Sequence, residues 1–533
     1  MSAAPDLRRL AAPDAVQPAA PRHNPWAIAL TVTLATFMEV LDTSIANVAL
    51  PHIAGGLSAS IHESTWVLTS YLVSNAIVLP MSGWVSSIIG RKRFYMSCVA
   101  IFTLSSLMCG FSTSLPMLIF FRVLQGAGGG GLQPSEQAIL ADTFPPRQRG
   151  MAFAVYGMAV VLAPAIGPTL GGWITDNFEW RWIFFINIPV GILSLFLTQR
   201  LIQDPPYLKG QKKGRRVDYI GLGLLAVGLG FLQVVLDKGE RDDWFASHFI
   251  LIITIISISA LVALVIWEWR HDDPIIDLHL FRDRSFAIGN FLMFMVGFAL
   301  MSSTVLLPLY MQTMLGYTAE QAGLALMPGG FAIICAMPLI GFLLSKYDAR
   351  WLLVFGLSLL SFALFYMTRF DTLIDFKTAA FARVMQGIGL SCLFVPINTA
   401  AYAFLPKEKN NAASGLINLG RNVGGSIGIS LVSTMLSRRT QFHQERLVGQ
   451  LNGGNSDFEA RLRMLIHTSM AHGANLVEAT RQAYAMMFNI INQQATALAY
   501  VDDFWMVAWA VLVMIPLVFM MKKVKPGAPM AVH

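Results

Sequence analysis

Fourteen stretches of this chain are each long and apolar enough to cross a bilayer, and that number constrains the fold class more than any motif does. They lie near 26–50, 66–88, 94–112, 116–143, 150–174, 182–201, 218–236, 248–268, 285–311, 320–344, 351–368, 378–404, 411–436 and 503–521. A hydrocarbon core about 30 Å thick is spanned by roughly 20 predominantly apolar residues in a helix. Periodicity alone does not separate a lipid-covered helix from one buried in a large core. Composition does: 55% of the 533 residues are apolar and 13% are charged, about half the charge of an ordinary soluble chain. So little polar chain cannot cover so many apolar runs in water, which leaves an all-α membrane protein.

The net charge of +7 would suit a nucleic-acid partner if the basic residues clustered on one soluble face, but they follow topology instead. With the N-terminus placed inside, the inner segments hold 24 Lys or Arg, among them Arg91, Lys92 and Arg93 and the run between Arg200 and Arg216. The short outer loops hold only Arg181, Lys238, Arg241, Arg369 and Lys377. The positive-inside rule therefore expects both termini in the cytoplasm. The first 25 residues are Pro/Ala-rich and polar, without the short apolar core of a cleavable signal, so the first helix is expected to anchor the chain. Cys98, Cys109, Cys335 and Cys392 all fall inside spans, far apart, and neither a disulfide framework nor a metal site is expected.

An internal repeat fixes the organisation. FRVLQGAGGGG (121–131) returns as ARVMQGIGLSC (382–392), aligning Arg122, Gln125, Gly126 and Gly128 with Arg383, Gln386, Gly387 and Gly389 at an offset of 261. VALP (48–51) matches VLLP (305–308) at an offset of 257. Spans 1–6 then correspond to spans 9–14, and spans 7 and 8 are inserted. The expected division is an N-terminal tail (1–25), a first six-helix half (26–201), a basic cytoplasmic linker (202–217), the inserted pair with its following loop (218–284), a second half (285–522) and a C-terminal tail (523–533). An even number of helices separates the repeats, so they run parallel, with a substrate site expected at their interface near the midplane. The outer segment 437–502 contains amphipathic runs such as FEARLRMLIHTSM; it reads as a packed cap or as a docking surface.

Charged residues inside spans cost a few kcal/mol each and mark ion or substrate paths. Glu39 and Asp42 share one face of the first helix at i and i+3. Counted from the outer end, Asp42 lies roughly 13 Å deep and Arg122, on the fourth helix, roughly 10 Å deep at 1.5 Å per residue, so the two are expected to meet. Burial disfavours an ionised carboxylate and a neighbouring guanidinium favours it; moving one against the other exchanges a proton, which is what a proton-coupled exchanger requires. A static ion pair joining the two helices is the alternative. At the offset of 257, Glu39 and Asp42 correspond to Val296 and Ala299. The fold is thus made a second time without either carboxylate, whereas Arg122 recurs as Arg383, and this asymmetry favours a function for the acids.

Glu39, Gln125, Glu136, Asn398 and Arg421 are the candidates for lining a substrate cavity. Glu136 either faces the inner cavity or satisfies a neighbouring backbone group, and Arg421 needs an anion or carbonyl partner that the sequence does not identify. APAIGPTLGGW (163–173) places Ala163, Gly167 and Gly171 four apart, next to Gly172, with Pro164 and Pro168 to bend the helix. Close helix packing explains it as well as any conformational role. GWVSSIIGRKR contributes Gly83, Gly90, Arg91, Lys92 and Arg93 at an inner turn. The glycines of GAGGGG lie within a span and not after a strand, so no nucleotide loop is present and the energy source is not ATP. Polar residues are not gathered at one membrane surface as an enzyme site would need.

Together, LDTSIANVALP, GWVSSIIGRKR, RVLQGAGGGG and APAIGPTLGGW, in order on the first, second, fourth and fifth spans, resemble the motifs of the major facilitator superfamily and, within it, the fourteen-helix drug:proton antiporters. WVLTSYLVSNAI, FPPRQRG and WRWIFFINIPVGI bring the resemblance closest to EmrB-type export permeases, over about 26–522. It implies a non-enzymatic, proton-driven exporter of hydrophobic drugs, dyes or uncouplers in the bacterial inner membrane, with no cofactor. It also implies a periplasmic membrane-fusion adaptor and, through it, an outer-membrane channel. Asp42 is the expected proton carrier, Arg122 its tuning partner and Glu39 an auxiliary proton or cation site; a dedicated exporter of one endogenous metabolite, such as a siderophore or lipid precursor, is the alternative. The chain departs from the family at Ser87, where an acid is usual, at Ile88, where an arginine is usual, and at Ala163, where glycine is commoner.

Overall fold

The computed structural model describes residues 24–204, 218–271, 274–371, 374–449, 451 and 456–523. Nearly all of both tails and of the basic linker lie outside these. Fifteen helices carry the architecture: α1 (Pro25–Gly56), α2 (Trp66–Ile89), α3 (Arg91–Gly110), α4 (Leu115–Thr143), α5 (Pro146–Asn177), α6 (Trp182–Leu201), α7 (Tyr219–Lys238), α8 (His248–Arg270), α9 (Arg284–Leu315), α10 (Ala319–Leu343), α11 (Ala349–Met367), α12 (Phe376–Tyr402), α13 (Asn410–Gly449), α14 (Ser456–Ala471) and α15 (Leu476–Val518). Several start on side-chain caps that satisfy the free N–H groups of a first turn. Asn24 accepts from the Trp26 N–H (2.9 Å) ahead of Pro25, and Asp283 accepts from that of Phe286 (3.0 Å).

The repeat is visible in the packing. α1 packs on α5 as α9 packs on α13; α4 lies between α2 and α3 as α12 lies between α10 and α11; α6 rests on α3 as α15 rests on α11. The halves meet through two equivalent pairs, α2 with α13 and α10 with α5. The inserted helices α7 and α8 pack on each other, and α7 covers α2 and reaches α13.

Among the described residues, twelve helices are long and apolar enough to span, and α5, bent by 44° between Gln148–Pro164 and Ile166–Asn177, makes a thirteenth. The fourteenth expected span is the first part of α13. It is long enough at 40 residues but polar, because its Asn and Gly face α2, α4, α9 and α15 and not lipid. Segment 437–502 continues its flanking helices: α13 runs on to Gly449, α15 begins at Leu476, and among the described residues α14 stands between them. Two spanning helices therefore continue past the apolar stretches that locate them in the sequence.

Glycine permits the closest helix approaches. A Cβ on Gly128 would lie 2.6 Å from the Phe102 nitrogen and 2.8 Å from the Cys98 oxygen of α3. Gly90, between α2 and α3, has φ +92°, a left-handed conformation that other residues adopt at a cost.

Candidate functional site

Asp42 and Arg122 meet. The Arg122 Nη1 donates to Asp42 Oδ2 at 2.6 Å and to Gln125 Oε1 at 2.9 Å, while its Nε donates to the Val67 carbonyl of α2 at 3.0 Å. The guanidinium also lies 4.3 Å from the centroid of the Tyr71 ring, within cation–π range. Asp42 Oδ1 accepts from Gln125 Nε2 (3.0 Å) and from Asn187 Nδ2 of α6 (2.7 Å). Both members are buried. Gln125, expected in a cavity, instead helps to enclose this ion pair.

The second half repeats the arrangement with a neutral group. Arg383 Nη1 donates to Gln386 Oε1 (2.6 Å) and to Ser303 Oγ (3.3 Å), and its Nη2 to Thr304 Oγ1 (3.0 Å). Ser303 stands 261 residues after Asp42 and takes the place of its carboxylate. The equivalents of Glu39 and Asp42 are thus Leu300 and Ser303, and not Val296 and Ala299. A slip of four residues is close to one helical turn and leaves the face unchanged, so the VALP match could not reveal it.

Glu39 has a different environment: among the described residues its hydrogen-bond donors are neutral. Its Oε1 accepts from Tyr71 Oη (3.3 Å) and Asn75 Nδ2 (3.2 Å), both on α2, and its Oε2 from Gln133 Nε2 (2.6 Å). Gln133 Oε1 faces the other half, where it accepts from Arg421 Nη2 of α13, and Tyr156 Oη of α5 donates to it at 3.2 Å. Arg421 also donates to Tyr156 Oη (3.4 Å) and Asn422 Oδ1 (3.4 Å). All its acceptors here are neutral, and Glu39 is reached through the amide of Gln133.

From this junction a buried polar seam joins the halves down to the end where α1 begins. Gln137 Oε1 accepts from Asn418 (2.9 Å), Ser414 (2.9 Å) and Tyr402 (3.0 Å) of the second half. Asp142 takes Asn410 Nδ2 on one oxygen (3.1 Å) and Arg91 on the other. Asn411 Nδ2 donates to Ser86 Oγ (2.6 Å), and the Gly83 Cα approaches the Ala412 backbone so closely that a Cβ would lie 2.7 Å from the Ala412 Cα. Arg91 thus finds its acid on α4, in place of the one missing at Ser87. Asp204, after α6, accepts from the Lys92 N–H (2.8 Å) and packs against Gly90. Lys92 Nζ donates to the Gln199 carbonyl (2.7 Å), and Arg93 is exposed.

Other expected residues lie apart from the junction. Glu136 is buried and accepts from Thr33 Oγ1 of α1 at 2.6 Å; its partner is a side chain, not a backbone group. Asn398 donates to the Phe394 carbonyl one turn back along its own helix (2.9 Å). Gly126 presses on the Tyr71 carbonyl of α2, and Gly167 and Gly171 press on Ser44 and Ile45 of α1. Gly172 has open space around it, so its place in the motif is not one of packing. Pro164 and Pro168 flank the bend of α5. An apolar surface groove of about 360 Å³ between α1, α5 and α10 is lined by Leu30, Thr33, Phe37, Met158, Leu162 and Ile334, among others.

Sequence reasoning missed Tyr71, Asn75, Gln133, Gln137, Asp142, Tyr156, Asn187 and Asn418. The available signal was a set of amide and phenol side chains inside spans, at GLQPSEQ (131–137) above all; neutral polar groups cost less in a membrane than charges and draw less notice.

The model of the Major Facilitator Superfamily matches residues 32–429, most of the chain and both halves of the repeat. The chain belongs to the Major Facilitator Superfamily. Curated relatives include the multidrug export protein EmrB of Escherichia coli K12, 38% identical over 92% of this chain and 94% of that protein, and EmrB of Haemophilus influenzae, 40% identical over 80% and 84%. The fatty acid resistance protein FarB of Neisseria gonorrhoeae is 36% identical over 93% and 96%. Among solved structures, the superfamily's proton:xylose symporter XylE superposes with a TM-score of 0.58 at 14% identity, covering 92% of this chain and 96% of that one. At that identity the likeness speaks for the fold alone. This superfamily member is a multi-pass membrane transporter, not an enzyme.

Proposed function

We propose that this transporter exports hydrophobic and amphiphilic toxic compounds across the bacterial inner membrane in exchange for protons, by alternating access. The observation that carries the reading is the placement of two buried carboxylates whose counterparts in the second half, Leu300 and Ser303, are neutral: Asp42 against Arg122, and Glu39 against the junction of the halves. A proton on Asp42 cancels the charge that holds Arg122, and Glu39 is the second exchanging site. Multidrug export in the names of relatives 38–40% identical supports the substrate class, and the apolar groove between α1, α5 and α10 suits apolar cargo. With both termini in the cytoplasm, the polar seam seals the inner side, so the structure is an outward-facing or occluded stage of the cycle. The halves 26–201 and 285–522 rock about it, with 218–284 riding on α2. Glu39 and Arg421 line the cargo path once the seam parts. A resistance panel tests the substrate range: expression in a sensitive host should raise tolerance to several unrelated amphiphiles, whereas protection against one compound or none would favour a dedicated exporter.

The outer extensions of α13 and α15, with α14, expose Phe442, Val448, Met464, Leu476, Val477 and Phe488. Apolar residues displayed beyond the spans suit a protein partner, and on this reading it is a periplasmic membrane-fusion adaptor leading to an outer-membrane channel. Photo-crosslinkers at Val477 and Phe488 should capture a co-expressed adaptor, while crosslinkers at lipid-facing Ile255 should not; equal capture at all three positions would contradict the docking site.

A further inference from the structure

Arginine donates hydrogen bonds and accepts none. The contact with Arg421 therefore fixes the Gln133 side chain with its oxygen toward the second half and its N–H toward Glu39. Tyr156 is equidistant, at 3.2 Å, from this oxygen and from Asn418 Oδ1, and its hydroxyl suits either orientation of the amide. From this geometry, and resting on the proton-coupled reading above, we infer that Gln133 is a coupling residue: its amide joins the two halves while Glu39 is ionised and turns over when Glu39 takes a proton.

Glu39 Oε1 already accepts two bonds, from Tyr71 and Asn75, whereas Oε2 accepts one, so Oε2 is the oxygen that takes the proton, and rotation about its C–O bond turns that hydrogen toward Gln133. The hydroxyl so formed is a good donor and a poor acceptor. An amide oxygen is the acceptor it needs, and the Gln133 oxygen comes within reach when the amide rotates by half a turn. That rotation sets the Gln133 N–H groups against the N–H groups of Arg421. Two donors now face each other, and the uppermost bond of the seam is lost. One proton is gained at Glu39, and no other covalent bond forms or breaks.

The other titratable and charged groups around Glu39 do not duplicate this link. Tyr71 on α2 and Tyr156 on α5 remain hydroxyls that can turn, and Asp42, one turn along α1, is held by Arg122 within the first half. Glu136 on α4 is engaged by Thr33, and Arg421 on α13, whose charge also acts on Glu39 through space, is joined to it by hydrogen bonds through Gln133. The direction of the effect suits an antiporter: a proton taken from the outer side unfastens the inner seam, and the site then faces the cytoplasm to exchange that proton for cargo.

The test is a distance measurement on the full chain in proteoliposomes. Spin labels at Ile89→Cys and Tyr347→Cys, both exposed and on opposite halves near the seam's inner end, report its opening, with Cys335 replaced by serine. In the unsubstituted background the separated population should grow on acidification, by up to about tenfold per pH unit for one linked proton. Glu39→Gln should hold the labels apart at every pH. Gln133→Leu, which keeps the bulk and loses both bonds, should make the distance distribution independent of pH. Arg421→Lys, which preserves a donor, should restore most of the pH response that Arg421→Leu removes. A full pH response in Gln133→Leu would overturn the inference, as would a pH-independent unsubstituted protein. If substrate export proceeds without proton movement, the reading beneath it fails; if export is proton-coupled and Gln133→Leu still responds to pH, only the role of Gln133 fails.

Discussion

Asp42→Asn is expected to abolish pH-driven export while leaving the protein folded in the membrane. The asparagine keeps the shape of the side chain and can still accept from Arg122. Its new N–H2 then faces the amides of Gln125 and Asn187, which donate to the carboxylate at 3.0 and 2.7 Å. One imperfectly paired buried donor costs about 1–3 kcal/mol, too little to unfold a bundle in which α1 is also buried against α5 and α6. Transport suffers more, because position 42 no longer alternates between charged and neutral and cannot release and recapture Arg122. Uptake of a substrate into inverted vesicles with an imposed pH gradient should fall by at least about tenfold, equivalent to roughly 1.4 kcal/mol of lost coupling. Downhill exchange of labelled for unlabelled substrate should persist. Wild-type uptake in Asp42→Asn would remove Asp42 from the proton path and leave the static ion pair as its role.

Two glycine substitutions are expected to fail in different ways. A Cβ on Gly83 meets the Ala412 backbone of the opposite half, 2.7 Å from its Cα and 2.8 Å from its nitrogen. Gly83→Val should therefore prop the inner seam open without disturbing either half. Membrane yield should stay near that of the unsubstituted protein, while export falls by an order of magnitude or more and labels at Ile89 and Tyr347 report the separated state. Gly128 presses on α3 within its own half. Gly128→Val overpacks that contact at a cost of about 1–3 kcal/mol or more, and it should lower the yield of folded protein in proportion to the loss of export. If Gly83→Val reduced yield as much as Gly128→Val, the distinction between seam and scaffold would be wrong.

Features enforced by charge or by repetition are legible in the sequence. Arg122 and Asp42 stand out because charged groups are rare within spans, and their similar depths along two helices are enough to pair them. The recurrence of RVLQG as RVMQG locates the two halves. What is not legible shares one physical cause: neutral polar side chains in a membrane carry no periodic signal. Gln133, Tyr156 and Asn418 make the junction, yet each is uncharged, and Gln133 and Asn418 stand among other polar residues of their helices, so nothing singles them out. Asp142 follows an apolar run and reads as an interfacial residue until Arg91 and Asn410 are seen on either side of it. α13 is the reverse case: its polar face is turned toward other helices, so its sequence understates how deeply it is buried.

The central claim is exchange of cargo for protons, and reverse operation tests it most directly. Proteoliposomes holding the purified transporter are loaded with a non-titratable substrate and diluted into substrate-free buffer, with potassium and valinomycin clamping the membrane potential and a lumenal dye reporting pH. The account predicts that the lumen acidifies as substrate leaves, and that Asp42→Asn removes the acidification. Substrate efflux through the unsubstituted protein at constant lumenal pH would contradict it.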